Sequence, residues 1–335
     1  MSGCSPKQMP VGVVFLKRAV RAMDIILHIG AHRTGTTSFQ NYVRGISNEL
    51  VSLEVAFWGP DMTRKGLFPP VFEGGDDSVA EGARQQEMSP LKRQLDTAWL
   101  AGARRLIVSD ENIMGSMRNN IRHAALYPQV GSRVAKFANA FGGNVSTILL
   151  SPRSLDLYWC SALAFSVKRG VPVPDLQKRA TIARSYRGWR DVIAEIARAL
   201  PGVAVKVLPF EAYAGRSDCF LSDAMNIDGP MCRDCMPVNT SPKLPDLRRA
   251  MSARGGDVQS LPFGMGRWNP FTNAQLGALR ELYADDMMWL RSGADGLATL
   301  IEDGSAPKAG SNPPRAANGK GQIDECEERR MARPG

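Results

Sequence analysis

A short apolar run, Asp24 to Ile29, breaks at Gly30 into a stretch of small and hydroxylated residues, and a helix pattern follows at once. The run Asp24-Ile25-Ile26-Leu27-His28-Ile29 is continuous rather than alternating, as expected of a strand buried on both faces of a parallel sheet. Gly30 ends it. In the stretch from Thr36, Phe39, Tyr42 and Val43 fall on one helical face. A strand, a tight Gly/Thr turn and a helix in direct succession commit the chain to an α/β architecture. His28 lies along the apolar strand and reads as structural.

The same alternation recurs downstream. Arg105 to Ser109, Val145 to Leu150 and Val203 to Leu208 read as further strands. Helices are expected from Ser132 to Ala140, after Ser151-Pro152-Arg153 as far as about Val167, and through Trp189, Val192, Ile193, Ile196 and Leu200 up to the stop at Pro201-Gly202. A helix end is expected between Leu95 and Ala101. A last helix begins near Pro270, with Thr272 and Gln275 spaced for a capping box and an apolar stripe at Leu276, Leu279, Tyr283, Met287 and Leu290. Strands alternating with helices predict a mainly parallel central sheet with helices on both faces, a three-layer α/β fold. Residues 1–23 read as an extension ahead of the first strand, with Met23 an alternative start. Residues 57–92, rich in Gly, Pro and charge, read as a long connection or insertion carrying one short helix. Residues 301–335 read as a disordered tail. Between them, 24–300 form one domain.

The turn after the first strand carries the sharpest chemistry: Gly30-Ala31-His32-Arg33-Thr34-Gly35-Thr36-Thr37. Glycines allow tight turning and close backbone approach to an anion, and the free N–H groups opening a helix donate to phosphate or sulfate oxygens. Arg33 adds fixed positive charge, and Thr34, Thr36, Thr37 and Ser38 add hydroxyls. Gly30 and Gly35 have the glycine spacing of the ATP-binding Walker A loop, yet Thr36 stands where that loop has lysine. The group that would reach the β- and γ-phosphates is missing, which disfavours an ordinary ATPase or kinase. The dinucleotide fingerprint G-x-G-x-x-G is absent.

The loop Arg33-Thr34-Gly35-Thr36-Thr37 resembles the 5′-phosphosulfate loop of the sulfotransferases that use 3′-phosphoadenosine 5′-phosphosulfate, particularly bacterial members. The family has a second site, an arginine at a strand end and a serine eight positions later on the next helix, both on the 3′-phosphate of the nucleotide. Arg153 and Ser161 follow Leu149-Leu150-Ser151-Pro152 in that arrangement. A guanidinium there can meet a phosphate as a fork. Phe210-Glu211, Val238-Asn239-Thr240-Ser241 and Arg267-Trp268-Asn269-Pro270-Phe271 look like further segments of bacterial members. The resemblance implies a P-loop-containing fold over residues 24 to 295. It also implies sulfuryl transfer from that donor, with 3′-phosphoadenosine 5′-phosphate as product, to a hydroxyl or amine acceptor, without a metal. The cofactor-binding set would be Gly30, Arg33, Thr34, Gly35, Thr36, Thr37, Ser38, Arg153 and Ser161.

In-line sulfuryl transfer needs positive charge at the bridging oxygen and, for a hydroxyl acceptor, a base. Arg33 is the expected electrostatic group. Many family members have lysine there, and arginine is a poor proton donor, so charge stabilisation rather than acid catalysis is its expected role. The family supplies a histidine or glutamate base near a neighbouring strand end. Glu111 is the first candidate and Asp110 the second, both just past Ser109; His32, inside the loop, either touches the acceptor or orients the backbone.

Composition narrows the remainder. With 335 residues, 44% of them hydrophobic, the chain can bury a large core. The net charge of +9 favours anionic partners. The tail's charges balance, so this excess belongs to residues 1–301. Long lysine or arginine blocks are absent, and pairs such as Arg104-Arg105, Lys168-Arg169, Arg248-Arg249 and Arg329-Arg330 are too short for a nucleic-acid stripe, so nucleic acid is an unlikely partner on sequence grounds. Three histidines leave no histidine-rich metal centre, and six cysteines do not form a disulfide framework in a chain this long. Cys232 and Cys235 have redox-pair or half-zinc-site spacing, but ordinary loop cysteines are the simpler reading. No apolar run is long enough to cross a membrane, and Val11 to Leu16 lacks a cleavage site, so a cytoplasmic protein is expected. The acceptor, a small molecule or glycan, and the oligomeric state are not specified. The alternatives are another P-loop phosphotransferase, kinase-like and metal-dependent, and a noncatalytic nucleotide- or nucleic-acid-binding protein.

Overall fold

The computed structural model describes residues 23–68, 90–231 and 240–302. The expected N-terminal extension, the centre of the Gly- and Pro-rich stretch, the Cys232 and Cys235 pair and the expected tail lie outside these residues. The chain runs β1 (Asp24–Gly30), α1 (Thr36–Gly45), α2 (Ser47–Ser52), β2 (Val55–Trp58), α3 (Pro60–Met62), a π-helical turn (Thr63–Leu67), α4 (Pro90–Leu100), β3 (Arg105–Ser109), α5 (Met117–His123), α6 (Val130–Ala140) and β4 (Val145–Leu150). It continues through α7 (Leu155–Lys168), α8 (Leu176–Ala183), α9 (Trp189–Ala199), β5 (Ala204–Val207), α10 (Phe210–Tyr213), α11 (Ser217–Met225), α12 (Leu244–Ser252), α13 (Asn273–Arg291) and β6 (Thr299–Leu300).

The strands form one sheet in the order β2-β3-β1-β4-β5-β6, and each pairing within it is parallel. Burial on both faces explains the continuous apolar runs. Ile25, Leu27 and Ile29 of β1, Leu106 and Val108 of β3, and Ile148 and Leu150 of β4 enter one core; Ile26, Ile107 and Leu149 enter the other. The first core is closed by helices that include α6, α7, α9 and α13, the second by α1 and α11. Each such large aliphatic side chain, fully buried, contributes about 1.5–3 kcal/mol. Helices on both faces of a parallel sheet give the mixed α/β, three-layer arrangement expected.

Two strands escape the periodicity. β2 is four residues long, between Glu54 in a left-handed conformation (φ 56) and Gly59-Pro60, and its last two residues fall inside the 57–92 stretch read as a connection. β6 has two residues, pairs with β5 and packs Leu300 against the first core. At α13 the capping box forms as expected: Gln275 N donates to Thr272 Oγ1 at 3.2 Å, and Thr272 N donates to Gln275 Oε1 at 3.0 Å.

The order of strands fixes where a ligand can sit. Connections leave β1 toward β2 and β3 on one side, while β4 lies on its other side. Open parallel sheets bind ligands outside the carboxyl ends of strands where the winding reverses. Gly30, Asp110, Ser151 and Leu208 all emerge at that edge.

Candidate functional site

The turn after β1 is built on left-handed backbone. Gly30, Arg33 and Gly35 have φ of 57°, 68° and 78°. A Cβ on Gly30 would lie 2.5 Å from Thr36 Oγ1, so only glycine fits. The Thr34 hydroxyl is spent inside the loop, donating to Ala31 O at 2.7 Å and accepting from Ala31 N at 3.1 Å. Gly35 precedes α1 without any side-chain cap on the helix, so the first N–H groups of α1 receive no acceptor from the capping position.

Arg33 is non-glycine in a left-handed conformation, which costs energy unless its surroundings hold it. Three contacts do so. His32 N donates to Tyr127 Oη at 2.9 Å, Arg153 Nη1 donates to Arg33 O at 2.7 Å, and Arg33 Nε donates to Ser161 Oγ at 2.9 Å. Ser161 Oγ also pairs with Ser241 Oγ at 2.6 Å. Residues 33, 153, 161 and 241, distant in sequence, therefore converge at the ends of β1 and β4. The Arg33 guanidinium lies 4.7 Å from the Phe165 ring centre, and Arg169 lies 4.4 Å from the same ring. Burial, then the charges of Arg153 and Arg169, draws the Arg33 pKa down to about 10. Arg153 lies 4.9 Å from the Phe210 ring centre and is only 9% exposed. Its pKa also falls, chiefly through burial, and its buried Nε has no hydrogen-bond partner. Its carbonyl accepts Trp189 Nε1–H at 2.8 Å, and Asp286 accepts the Trp189 backbone N–H at 2.6 Å, which ties this side of the site to α13.

The end of β3 is organised differently. Asp110 is 3% exposed and already engaged: its carboxylate accepts Thr63 Oγ1–H at 2.5 Å, Arg64 Nε–H at 3.0 Å, Arg64 Nη2–H at 2.6 Å and Asn112 N–H at 2.9 Å. Of the two expected bases it is the one committed to holding structure. Arg64 Nη2 also donates to Glu111 Oε1 at 3.1 Å, whereas Glu111 Oε2 is buried without a partner. Burial alone would lower the Arg64 pKa, but the hydrogen bonds and charges of Asp110 and Glu111 outweigh it and hold it above its ordinary value.

His32 has both ring nitrogens occupied, Nδ1 with Tyr127 Oη at 2.9 Å and Nε2 with the Asn112 side chain at 3.2 Å, and burial holds its pKa below the usual imidazole value. Of its two expected roles, this geometry matches backbone orientation. His28, with Nδ1 2.8 Å from Ser109 Oγ and its pKa pulled to about 3 by burial, is structural as expected.

Arg33, Arg153, Arg169, Phe165, Phe210 and Ser241 on one side, Arg64, Glu111 and Asn112 on the other, and His28 and His32 border one cavity of about 930 Å³, together with Thr36, Thr37 and Ser38; Asp110 and Ser161 stand behind these lining residues. Its walls carry six arginines (33, 64, 118, 153, 169 and 267) and one carboxylate, Glu111. Arg64, Arg118, Phe165 and Arg169 were not singled out by sequence; Phe210, Thr240, Ser241 and Arg267 lay in segments the family resemblance had marked. Among the described residues, no group of three His, Cys, Asp or Glu is placed to hold a metal ion, and no helix is long and apolar enough to cross a membrane. No family model, curated protein or solved structure matches the chain significantly.

Proposed function

We propose that this chain is a P-loop sulfotransferase that moves a sulfuryl group from 3′-phosphoadenosine 5′-phosphosulfate to a hydroxyl or amine acceptor. The observation carrying this reading is the convergence of Arg33, Arg153 and Ser161, with a buried, unpartnered guanidinium nitrogen on Arg153. Holding like charges together costs energy that an anionic ligand returns. The residues fit a nucleotide phosphorylated at both its 3′ and 5′ positions. Gly30, Gly35, Thr36, Thr37 and Ser38, with Arg33, would hold the 5′ end, through backbone N–H groups and hydroxyls. Arg153 and Ser161 would hold the 3′-phosphate, Ser161 exchanging its bond to Arg33 for one to phosphate.

When bound, the donor supplies an activated sulfuryl group on a phosphate leaving group. Arg33 stays protonated at neutral pH even with its pKa near 10, so it contributes fixed charge and gives up no proton. Glu111 Oε2 is the atom that takes the proton of an acceptor hydroxyl, while Arg64 fixes Oε1. Asp110 holds Arg64 and takes no proton.

Calorimetric titration with 3′-phosphoadenosine 5′-phosphate tests the reading without knowledge of the acceptor. Binding in chelator-treated protein, with magnesium-ATP bound weakly or not at all, is expected. No binding, or a preference for magnesium-ATP, would sink it and favour a phosphotransferase.

A further inference from the structure

The same cavity carries more positive charge than the donor requires, and the excess has a definite place. Arg33 and Arg153 serve the nucleotide in the proposed function, on which this inference rests. Arg169 flanks Arg33 on the Phe165 ring, and Arg267 is a like-charged neighbour that helps lower the Arg153 pKa, so both belong to the donor side. The opposite wall follows β3 and contains Glu111, Asn112, Ser116, Met117 and Arg118, with Arg64 beside Glu111.

Three features of that wall point to the acceptor. Glu111 Oε2 is a buried acceptor atom without a donor, which an incoming hydroxyl satisfies. Arg118 is exposed and makes no hydrogen bond or ion pair among the described residues. Arg64 spends Nε and Nη2 on Asp110 and Glu111, and its Nη1 makes no hydrogen bond among the described residues. Of the aromatic rings lining the cavity, Phe165 and Phe210 lie against the donor-side arginines and Phe39 and Phe220 pack on His28, so at the wall after β3 a phenol or other flat apolar acceptor would set its ring against polar and charged groups and Met117. Burying such groups unpaired is costly. A neutral sugar would satisfy Glu111 and leave Arg118 unused. A cavity of about 930 Å³ is at the upper end of single-ligand sites and admits a second molecule beside a nucleotide.

We infer that the acceptor is an anionic carbohydrate, a sugar bearing a carboxylate or sulfate, whose hydroxyl meets Glu111 and whose charge meets Arg118. Arg118 is then a specificity-determining residue. In the transfer step the acceptor oxygen forms a bond to sulfur, the bond from sulfur to the bridging oxygen breaks with its electron pair leaving on the phosphate, and the hydroxyl proton passes to Glu111.

The test begins with protein saturated with 3′-phosphoadenosine 5′-phosphate. Three probes are titrated into it: a hexuronate-containing tetrasaccharide, its carboxyl-reduced counterpart and an acidic tyrosine peptide. The uronate form is expected to bind roughly tenfold more tightly than the reduced form, less so as salt rises. Arg118→Gln should erase that difference and Arg118→Lys keep most of it, with nucleotide binding unchanged in both. Equal binding of the two sugars, binding of neither, or preference for the peptide would overturn the inference while leaving the donor assignment standing. Failure of the wild-type protein to bind the nucleotide would be seen before any sugar is added, and would remove the donor assignment and this inference together.

Discussion

The ends of β4 and β3 lie on either side of β1 and both present charged side chains to one cavity, yet they handle charge in opposite ways. At the β4 side Arg33, Arg153 and Arg169 lie close together; Glu211 and Asp156 act on Arg153 through space without bonding to it, and one of its guanidinium nitrogens is buried unpaired. At the β3 side Arg64 lies between Asp110 and Glu111 and forms an ion pair with each. Charges that compensate each other hold structure; charges left uncompensated by the fold await a ligand. Asp110 and Arg153 are equally buried in kind, but one has four donors and the other an orphaned atom. Glu111 has one oxygen in each class.

If that division is right, Glu111→Gln should lower sulfuryl transfer about 100-fold or more while nucleotide affinity stays within twofold, because a general base supplies about 10²–10⁴ in rate. Equal losses in both measurements would make Glu111 part of the donor site and break the comparison.

A smaller effect concerns what supports the β4 side. Burial raises the Asp286 pKa from 3.8 to about 6, against the two backbone N–H bonds it accepts from Trp189 and Arg190. The folded protein therefore holds this proton at pH values where the unfolded chain has released it. Stability from this group is full below about pH 4 and falls as pH rises toward about 6, by about 3 kcal/mol for a shift of this size. Urea unfolding of wild type and Asp286→Asn at intervals from pH 4 to 7 should show the difference between them changing within that window. A pH-independent difference would mean that Asp286 acts only through its hydrogen bonds.

Asp110→Ala should cost about 2 kcal/mol in stability, at the lower end for a broken buried pair because Arg64 is 43% exposed and regains water. Nucleotide affinity should not change. Loss of nucleotide binding with stability intact would reverse the assignment of the two sides.

Much of the frame was legible from short apolar runs. β1, β3, β4 and β5 are bracketed by turn residues, and α9 and α13 carry clear stripes and stops. β2 was hidden because Val55–Trp58 has no alternation and abuts Gly59-Pro60, and β6 because two residues carry no period. In the site, Arg33, Arg153 and Ser161 were legible because each sits in a local pattern. Arg64, Phe165 and Arg169 were not, since tertiary packing brings them in from positions with no local pattern of their own, and Ser241 was marked only as part of the segment Val238-Asn239-Thr240-Ser241, without its partner Ser161. Asp110 shows the limit most plainly: adjacent to Glu111 in sequence, it is set apart largely by Thr63 and by the second bond from Arg64, both from more than 40 residues away.

The central claim is that Arg153 and Ser161 form a 3′-phosphate site beside the loop of Arg33. Affinities for 3′-phosphoadenosine 5′-phosphate and adenosine 5′-monophosphate, measured in wild type and Arg153→Ala, test it directly. The wild type should prefer the bisphosphate by about 100-fold, as expected for a charge-assisted fork, and Arg153→Ala should bind the two alike. A wild type that does not distinguish them, or a variant that keeps the preference, would contradict it.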